Sequence, residues 1–294
     1  MKEGRIIKLV GGLYTVVDAT MNRYQLKPLG IFRYQNEKPK VGDFVKFTDE
    51  SIVELLPREN DLARPAVANV DQALLVQSAK EPDFSFTLVD RFLVTIEHSG
   101  IKPVLIVTKT DLLTEAEAAA LTAKLAYYAT FYEIIRFSAV SLTNLDLIVK
   151  ITSDKVNVLA GQTGAGKSSL LNTLDPTLEL ATDTISKALG RGRHTTRHVE
   201  LIRFHHGWIA DTPGFSKLDF AGIDAETLKD MYPDFVQLAP SCRFNGCSHL
   251  REPGCAIRQE VARGRLPEER YQNYVNFHEE IRSRKPKYER EGYR

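Results

Sequence analysis

Eight consecutive residues, Gly161-Gln162-Thr163-Gly164-Ala165-Gly166-Lys167-Ser168, satisfy the phosphate-loop pattern G-x-x-x-x-G-K-[ST]. The glycines free the backbone so that successive N–H groups converge on phosphate oxygens, and the positive end of a following helix adds to that field. Lys167 then spans the β- and γ-phosphates, and the Ser168 hydroxyl is a ligand for Mg²⁺. The flanks agree: the apolar run Val156–Ala160 precedes the loop as a buried strand, and Ser168-Ser169-Leu170-Leu171-Asn172 continues it as a helix. A glycine-rich turn that merely happens to stand before Lys-Ser would not carry both flanks in register. Residues 161–169 therefore imply a nucleoside triphosphate site.

Which base such a site accepts depends on residues elsewhere. Thr108-Lys109-Thr110-Asp111 follows the buried apolar run Pro103-Val104-Leu105-Ile106-Val107 and resembles the guanine-recognition motif N-K-x-D of Ras-like GTPases. A carboxylate at Asp111 accepts hydrogen bonds from guanine N1–H and N2–H₂, donors that adenine lacks, and the aliphatic stem of Lys109 covers the base plane. Thr108 stands where the motif usually has Asn. Its shorter hydroxyl is expected to brace the loop less well, by one hydrogen bond or ~1 kcal/mol. Taken alone, the tetrapeptide is equally a polar strand-to-helix turn. Phe137-Ser138-Ala139, further along, resembles the second base-contacting element, in which the Ala139 N–H reaches guanine O6. The two together point to GTP and GDP and count against an ATPase of transport or helicase type.

Asp211-Thr212-Pro213-Gly214 follows the strand-like Trp208-Ile209-Ala210 and fits D-x-x-G, in which Asp211 holds Mg²⁺ through water and the Gly214 N–H meets the γ-phosphate. The next residue is Phe215, where many GTPases carry a water-orienting Gln. An apolar ring cannot orient a nucleophilic water, so intrinsic hydrolysis is expected to be slow and to need help. The basic stretch Gly190-Arg191-Gly192-Arg193-His194-Thr195-Thr196-Arg197-His198 lies between the two phosphate motifs, where a first switch belongs. Thr196, or Thr195, would complete the Mg²⁺ shell, His194 is a candidate to position water, and the arginines could meet phosphate or RNA. The alternative is a solvated basic loop.

All three cysteines fall in one short stretch with a histidine: Cys242, Cys247, His249 and Cys255. Cys₃His is a closed tetrahedral set for Zn²⁺, and Gly246 and Pro253-Gly254 let the chain wrap around an ion. Four donors leave no open position, so one structural Zn²⁺ per chain is expected. Buried inert thiols and a redox pair are the alternatives. An odd cysteine count already excludes a fully paired disulfide scaffold.

These sites need elements to hold them. The chain has 294 residues, 43% hydrophobic and 26% charged, with 39 Lys and Arg against 38 Asp and Glu. That length suggests two or three domains, and that composition a globular protein, neither disordered nor fibrous. No apolar run approaches the ~20 residues of a membrane span. Met1-Lys2-Glu3-Gly4-Arg5-Ile6 does not read as a signal peptide, so a cytoplasmic protein without membrane contact is expected. Near-neutral charge argues against an indiscriminate nucleic-acid coat, although Pro240–Arg294 holds twelve Lys and Arg against eight Asp and Glu. RNA contact and a solvated helical face both suit that local excess.

Residues 1–64 read as short strands broken by turns, such as Arg5–Val10, Gly11-Gly12, Leu13–Val17 and Val41–Phe47. A small OB-like β-barrel is favoured over a sandwich, because ~60 residues suit one closed sheet better than two packed ones. Arg64-Pro65 reads as a linker. Beyond it, buried strands alternate with helical stripes (Leu88, Val89, Phe92, Leu93 and Ile96; then an Ala-rich helix opened by Thr114 and Glu117), the rhythm of a parallel sheet. After about residue 225 the pattern becomes helical and irregular.

The motif order is unusual. In Ras-like proteins the phosphate motifs precede the base motifs; here T-K-T-D and Ser-Ala come first, then the P-loop, the switch stretch and D-x-x-G, which describes a circularly permuted GTPase. The second switch then stands directly ahead of the C-terminal region, on which its movement could pull. A β-barrel, a permuted GTPase and a C-x4-C-x-H-x5-C zinc segment in that order, with G-R-G-R-H-T-T and D-T-P-G-F, resemble the RsgA/YjeQ family over essentially the whole chain. The resemblance implies a multidomain α/β protein: an N-terminal OB-like, RNA-binding β-barrel at 1–64, a circularly permuted Ras-like P-loop GTPase domain at 65–225, and a C-terminal helical zinc-binding domain at 226–294. It further implies a bacterial GTPase that binds the small (30S) ribosomal subunit and its 16S rRNA. Such a protein acts in late maturation, is stimulated by the subunit, and works as a cytoplasmic monomer. A nucleotide-gated RNA-binding scaffold with only incidental hydrolysis is the competing expectation, kept open by Phe215.

Overall fold

A computed structural model of the chain describes residues 1–30, 32, 37–62, 66–178, 199–211 and 220–284. The N-terminal strands are β1 (Lys2–Val10), β2 (Leu13–Asp18), β3 (Arg23–Pro28), β4 (Phe44–Phe47) and β5 (Ser51–Leu55). Gly11 and Gly12, at φ 59° and 79°, make the two-residue turn between the first two, a conformation that side chains with a Cβ resist. The strands neighbour one another in the order β2-β3-β5-β4-β1, and β1 pairs back onto β2, so the sheet closes. β3 and β5 run parallel while the other neighbours are antiparallel, an OB-type arrangement. One sheet closed on itself leaves no room for the sandwich alternative. Ile6, Val16, Leu26, Val45, Phe47 and Ile52 fill the interior. The sequence signal for β3 is weak, since Arg23-Tyr24-Gln25-Leu26-Lys27-Pro28 offers only two large apolar residues; its pairing with β2 and β5 makes it a strand.

Six further strands follow: β6 (Gln72–Ser78), β7 (Lys102–Thr108), β8 (Glu133–Arg136), β9 (Val156–Ala160), β10 (Glu200–Phe204) and β11 (Gly207–Asp211). Their order is β10-β11-β9-β6-β7-β8, with β10 antiparallel to β11 and every other neighbour parallel. β6 and β9 are buried along their whole length and β7 along all but its first residue, as a parallel sheet covered on both faces requires. Barrel and sheet are continuous: β1 meets β10 at Lys8 and Glu200, whose side chains form an ion pair at 2.6 Å. In such a sheet the loops leaving the carboxyl ends of the strands share one edge, and ligands bind there.

The helices are α1 (Phe86–His98), α2 (Glu115–Tyr128), α3 (Leu145–Thr152), α4 (Lys167–Leu174), α5 (Pro233–Leu238), α6 (Ala256–Ala262) and α7 (Glu268–Arg282). The expected capping box opens α2, with Thr114 and Glu117 bonded reciprocally.

The chain divides into two compact units, Met1–Phe84 with Ser99–Lys217, and Ser85–His98 with Leu218–Arg294. Helix α1, although it leaves β6 and returns to β7, thus groups with the C-terminal helices. Within that second unit Phe220, Tyr232, Phe235, Tyr274 and Phe277 are buried, and the Arg91 guanidinium lies over the Phe220 and Phe277 rings. Arg270 is fully buried there. It makes a bidentate pair with Asp234, at 2.8 Å for both bonds, and donates to Asp90 of α1. Losing one member of such a set would leave an uncompensated buried charge, a cost of about 3–5 kcal/mol.

Candidate nucleotide and zinc sites

The phosphate loop begins where β9 ends. Gly161 has φ +124°, and a Cβ there would lie 2.0 Å from the Val76 carbonyl oxygen of β6, so only glycine fits against the neighbouring strand. Gly166, at φ +87°, caps α4, and Lys167 and Ser168 form that helix's first turn. Ser168 is buried, as is Ala165, while Gln162, Thr163, Gly164 and Ser169 are partly or fully exposed. The Lys167 Nζ donates to the carbonyls of Gly161 (2.7 Å) and Gln162 (2.6 Å), and burial lowers its pKa to about 8. An ammonium folded onto its own loop in this way can exchange those carbonyls for phosphate oxygens.

The base motif reaches the same edge from β7. Thr108, only 3% exposed, donates its hydroxyl hydrogen to the Ala165 carbonyl oxygen at 2.6 Å and lies 3.4 Å from the Gln77 carbonyl oxygen. The short side chain therefore does tie the T-K-T-D segment to the phosphate loop. Lys109 is left-handed, at φ 55°, and its Nζ donates to the Glu81 carbonyl. Thr110 donates to the Phe137 carbonyl at 3.3 Å, which joins the motif to the second base element. There the Ser138 hydroxyl oxygen accepts from the Val140 and Ser141 amides, at 3.1 and 3.2 Å, and fixes the turn that contains Ala139. Asp111 and Ala139 are both exposed, Asp111 on a 3₁₀ turn, Thr110–Leu112. Residues from Thr108 to Ser169 separated by whole helices thus meet at the carboxyl ends of β6, β7, β8 and β9.

One stretch of this edge carries no motif in the sequence. The loop after β6 supplies the Glu81 carbonyl to Lys109, Pro82 lies 3.5 Å from where a Cβ on Gly164 would stand, and Ser78 donates to the Pro82 carbonyl at 2.5 Å. Its position after a buried strand, like that of the other loops, is the signal that could have found it. Asp211 ends β11, which runs parallel to β9. Its side chain lies outside the described residues, as do His194, Thr195, Thr196, the rest of the basic stretch, Thr212 to Gly214, Phe215 and the Arg64-Pro65 linker.

In the second unit Cys242, Cys247, His249 and Cys255 present their donor atoms within 4.8 Å of one another. The Nδ1 of His249 lies 3.6 Å from the Sγ of both Cys242 and Cys255. With Zn–S near 2.3 Å and Zn–N near 2.0–2.1 Å, a tetrahedral ion sets this edge at about 3.5–3.6 Å, so the donor set fits zinc. Burial pushes the Cys247 thiol up to about 12, raises that of Cys255 and lowers the His249 imidazole. A dication at their centre would offset that cost by converting thiols to thiolates. A second layer holds the donors. The Ala256 amide donates to the Cys242 Sγ at 3.3 Å, Tyr271 to the His249 carbonyl at 2.9 Å, and Tyr274 to the Ser248 carbonyl at 2.6 Å. Glu252 gathers the Ser248 hydroxyl and the amides of Ser248, Leu250 and Arg251. Burial alone would raise the Glu252 pKa, yet these bonds hold it near 2.

A phosphate loop and a guanine motif on one strand edge, with the base elements ahead of the phosphate elements in the chain, define a circularly permuted P-loop GTPase. The pattern of the RsgA GTPase family matches residues 55–221, and that of the RsgA N-terminal domain matches residues 3–53. The chain belongs to the RsgA family. It is 46% identical to the small ribosomal subunit biogenesis GTPase RsgA of Bacillus velezensis, over 98% of this chain and 100% of the relative, and equally identical to that of Bacillus cereus over the same shares. The crystal structure of YloQ, described as a circularly permuted GTPase, matches with a TM-score of 0.84 at 41% identity over 98% of this chain and 97% of that one. YjeQ from Thermotoga maritima matches with a TM-score of 0.86 at 34% identity, over 97% and 99%.

Proposed function

We propose that this chain is a GTPase that binds the small ribosomal subunit through its 16S rRNA, acts late in the assembly of that subunit, and hydrolyses GTP to GDP when the subunit stimulates it. The names of the full-length relatives support the partner, and the Thr108–Ala165 hydrogen bond carries the enzyme reading, because it sets base motif and phosphate loop in one frame. In this reading Asp111 accepts the guanine N–H groups, Lys109 covers the base, Thr110 braces the motif, and the Ala139 amide meets O6. Residues 161–169 wrap the phosphates, and Lys167 moves from its own loop's carbonyls onto the β- and γ-oxygens. Ser168 and Thr196, with Asp211 through water, would hold Mg²⁺, which neutralises charge on those oxygens when bound. The Gly214 amide contacts the γ-phosphate, and His194 positions water. Cys242, Cys247, His249 and Cys255 hold one structural Zn²⁺.

The division at 1–64, 65–225 and 226–294 belongs to this reading, with the barrel as an RNA-binding part. So do a monomeric state and a cytoplasmic site of action. Among the described residues no helix is long and apolar enough to cross a membrane. Phe215, in place of a water-orienting Gln, favours weak turnover by the free protein and sustains the scaffold alternative. GTP turnover measured with and without purified small subunits separates the two. Strong stimulation is expected, and an unchanged rate overturns the enzyme reading.

A further inference from the structure

Beside the zinc donors the second unit has a cavity of about 200 Å³. One wall is the 3₁₀ turn Leu228–Met231 with helix α5, which contribute Lys229, Asp230, Phe235 and Val236; the other is the zinc loop, which contributes Phe244 and Asn245. Phe244 and Val236 are 45% and 51% exposed, although each is a large apolar side chain. One water needs about 10–15 Å³ of such space, so there is room for a flat ring system. We infer that this cavity seats one unstacked base of single-stranded RNA, with Phe244 as its stacking platform. The inference rests on the reading above only in taking RNA as the class of partner.

The lining argues for a base rather than an apolar side chain of a protein. Phe244 offers a π-face that any base can use, and the Arg243 guanidinium already lies 5.4 Å from the centre of its ring, the aromatic–cation pairing typical of single-strand binding. Asp230 and Asn245 also line the space, and a carboxylate and an amide suit the polar edge of a base better than an apolar plug. Lys229 donates to the Cys247 carbonyl at 3.0 Å and keeps two further N–H donors. The Asp230 charge repels phosphate, so the RNA backbone must pass on the Arg243 side. By sequence, Pro240–Arg294 carries twelve basic residues against eight acidic, a net excess that suits a polyanion. The zinc then has a second consequence, since the loop it closes is the loop that presents Phe244.

The test uses the zinc-loaded full chain and fluorescent ten-nucleotide single strands of poly-A, poly-U, poly-C and a G-containing mixed sequence. Phe244→Ala should weaken binding roughly 5- to 150-fold while Phe244→Tyr holds it near wild type, with zinc content and basal GTP turnover unchanged in both. Arg243→Ala should lower the slope of log affinity against log salt by roughly 0.7, the value of one single-strand phosphate. Asp230→Asn should change the ranking of the four strands. If Phe244→Ala costs the chain its zinc, Phe244→Leu, which keeps bulk and removes the ring, replaces it with the same expectation. Wild-type affinities shared by Phe244→Ala or Phe244→Leu overturn the inference, as does a wild-type chain that binds none of the strands. Loss of subunit binding with unchanged strand binding also overturns it, in favour of a protein occupant. Failure of subunit-stimulated turnover in the wild type is a separate result that bears on the function proposed above.

Discussion

At the ends of β6, β7 and β9, carbonyl oxygens of the sheet's own loops accept hydrogen bonds from Thr108, Lys109 and Lys167, so the nucleotide site is ordered by backbone that the parallel strands already hold. From Cys242 to Cys255 almost no regular structure exists, and the stretch is held by Tyr271 and Tyr274 from outside and by Glu252 from within. The first site is a loop that a sheet holds in place; the second is a loop whose four donor atoms stand close enough to share one ion. Apolar burial supports the one, with Leu74, Val76, Val104, Ile106, Leu159, Ala165 and Leu170 in a single cluster beneath it. In the other, bound zinc would add coordination to those hydrogen bonds. That difference predicts where each site breaks.

The largest effect is expected at the zinc loop. Cys247→Ser should abolish stoichiometric zinc and remove a binding free energy of order 10 kcal/mol, because a structural zinc's affinity is folding free energy. Hydrogen exchange should then rise across 242–255, while GTP affinity stays within about twofold. One zinc retained per chain would contradict the four-donor site, and a parallel loss of GTP affinity would erase the contrast between the two regions. Next in size, Asp111→Asn would remove the two charge-assisted hydrogen bonds to guanine that the proposed base assignment gives it, each worth ~1.5–3 kcal/mol. GTP affinity should fall by about 100-fold or more and xanthosine triphosphate should gain; an unchanged preference would refute the base assignment.

A smaller effect is expected at Thr108. Thr108→Val leaves the Ala165 carbonyl without its donor, at a cost of ~1–3 kcal/mol, so GTP affinity should drop by roughly 5- to 150-fold. Thr108→Ser should stay near wild type. If valine is tolerated, the two motifs are positioned by the sheet alone. The finest measurement concerns Lys167. Its pKa near 8 in the folded chain lies below the ordinary 10.5, so between those values the unfolded chain binds more protons and stability of the nucleotide-free protein rises with pH. Phosphate oxygens restore the charge. GTP binding at pH ~8.5 should therefore take up a fraction of a proton, read as a dependence of the calorimetric heat on buffer ionisation, and Lys167→Met should abolish it.

The two sites also differ in how they show through the sequence. The zinc donors lie close together in the chain, so residue type and spacing already specify a tetrahedral set. The phosphate loop is legible for a related reason: Gly161 and Gly166 stand where backbone geometry tolerates nothing larger, and that constraint is local. What was not legible is long-range. The expectation that Thr108 braces the loop less well than Asn follows from side-chain length, while the distance its hydroxyl spans to Ala165 is set by how β7 sits across β6 from β9. The Glu81 carbonyl has no motif because any residue supplies a carbonyl. The stripe on α1 shows that one face is covered, and nothing in it reveals that the cover comes from residues some 180 positions later. Strand β3 was likewise invisible until its parallel partner β5 was in place.

The grouping of α1 with the C-terminal helices bears on whether this protein can be divided. The chain passes between its two units three times, at 84/85, 98/99 and 217/218, so the nucleotide-binding unit contains an excursion that is folded as part of its neighbour. A chain ended at residue 217 would keep every base and phosphate motif. It would also keep Asp90, a buried carboxylate now without Arg270, on a helix whose Val89, Phe92, Leu93 and Ile96 are dry in the intact protein. Such a fragment should be insoluble or grossly destabilised although no nucleotide residue is missing. Gene fusions, truncations and domain swaps that treat the GTPase as a detachable cassette would cut through the core of the second unit, to which α1 belongs.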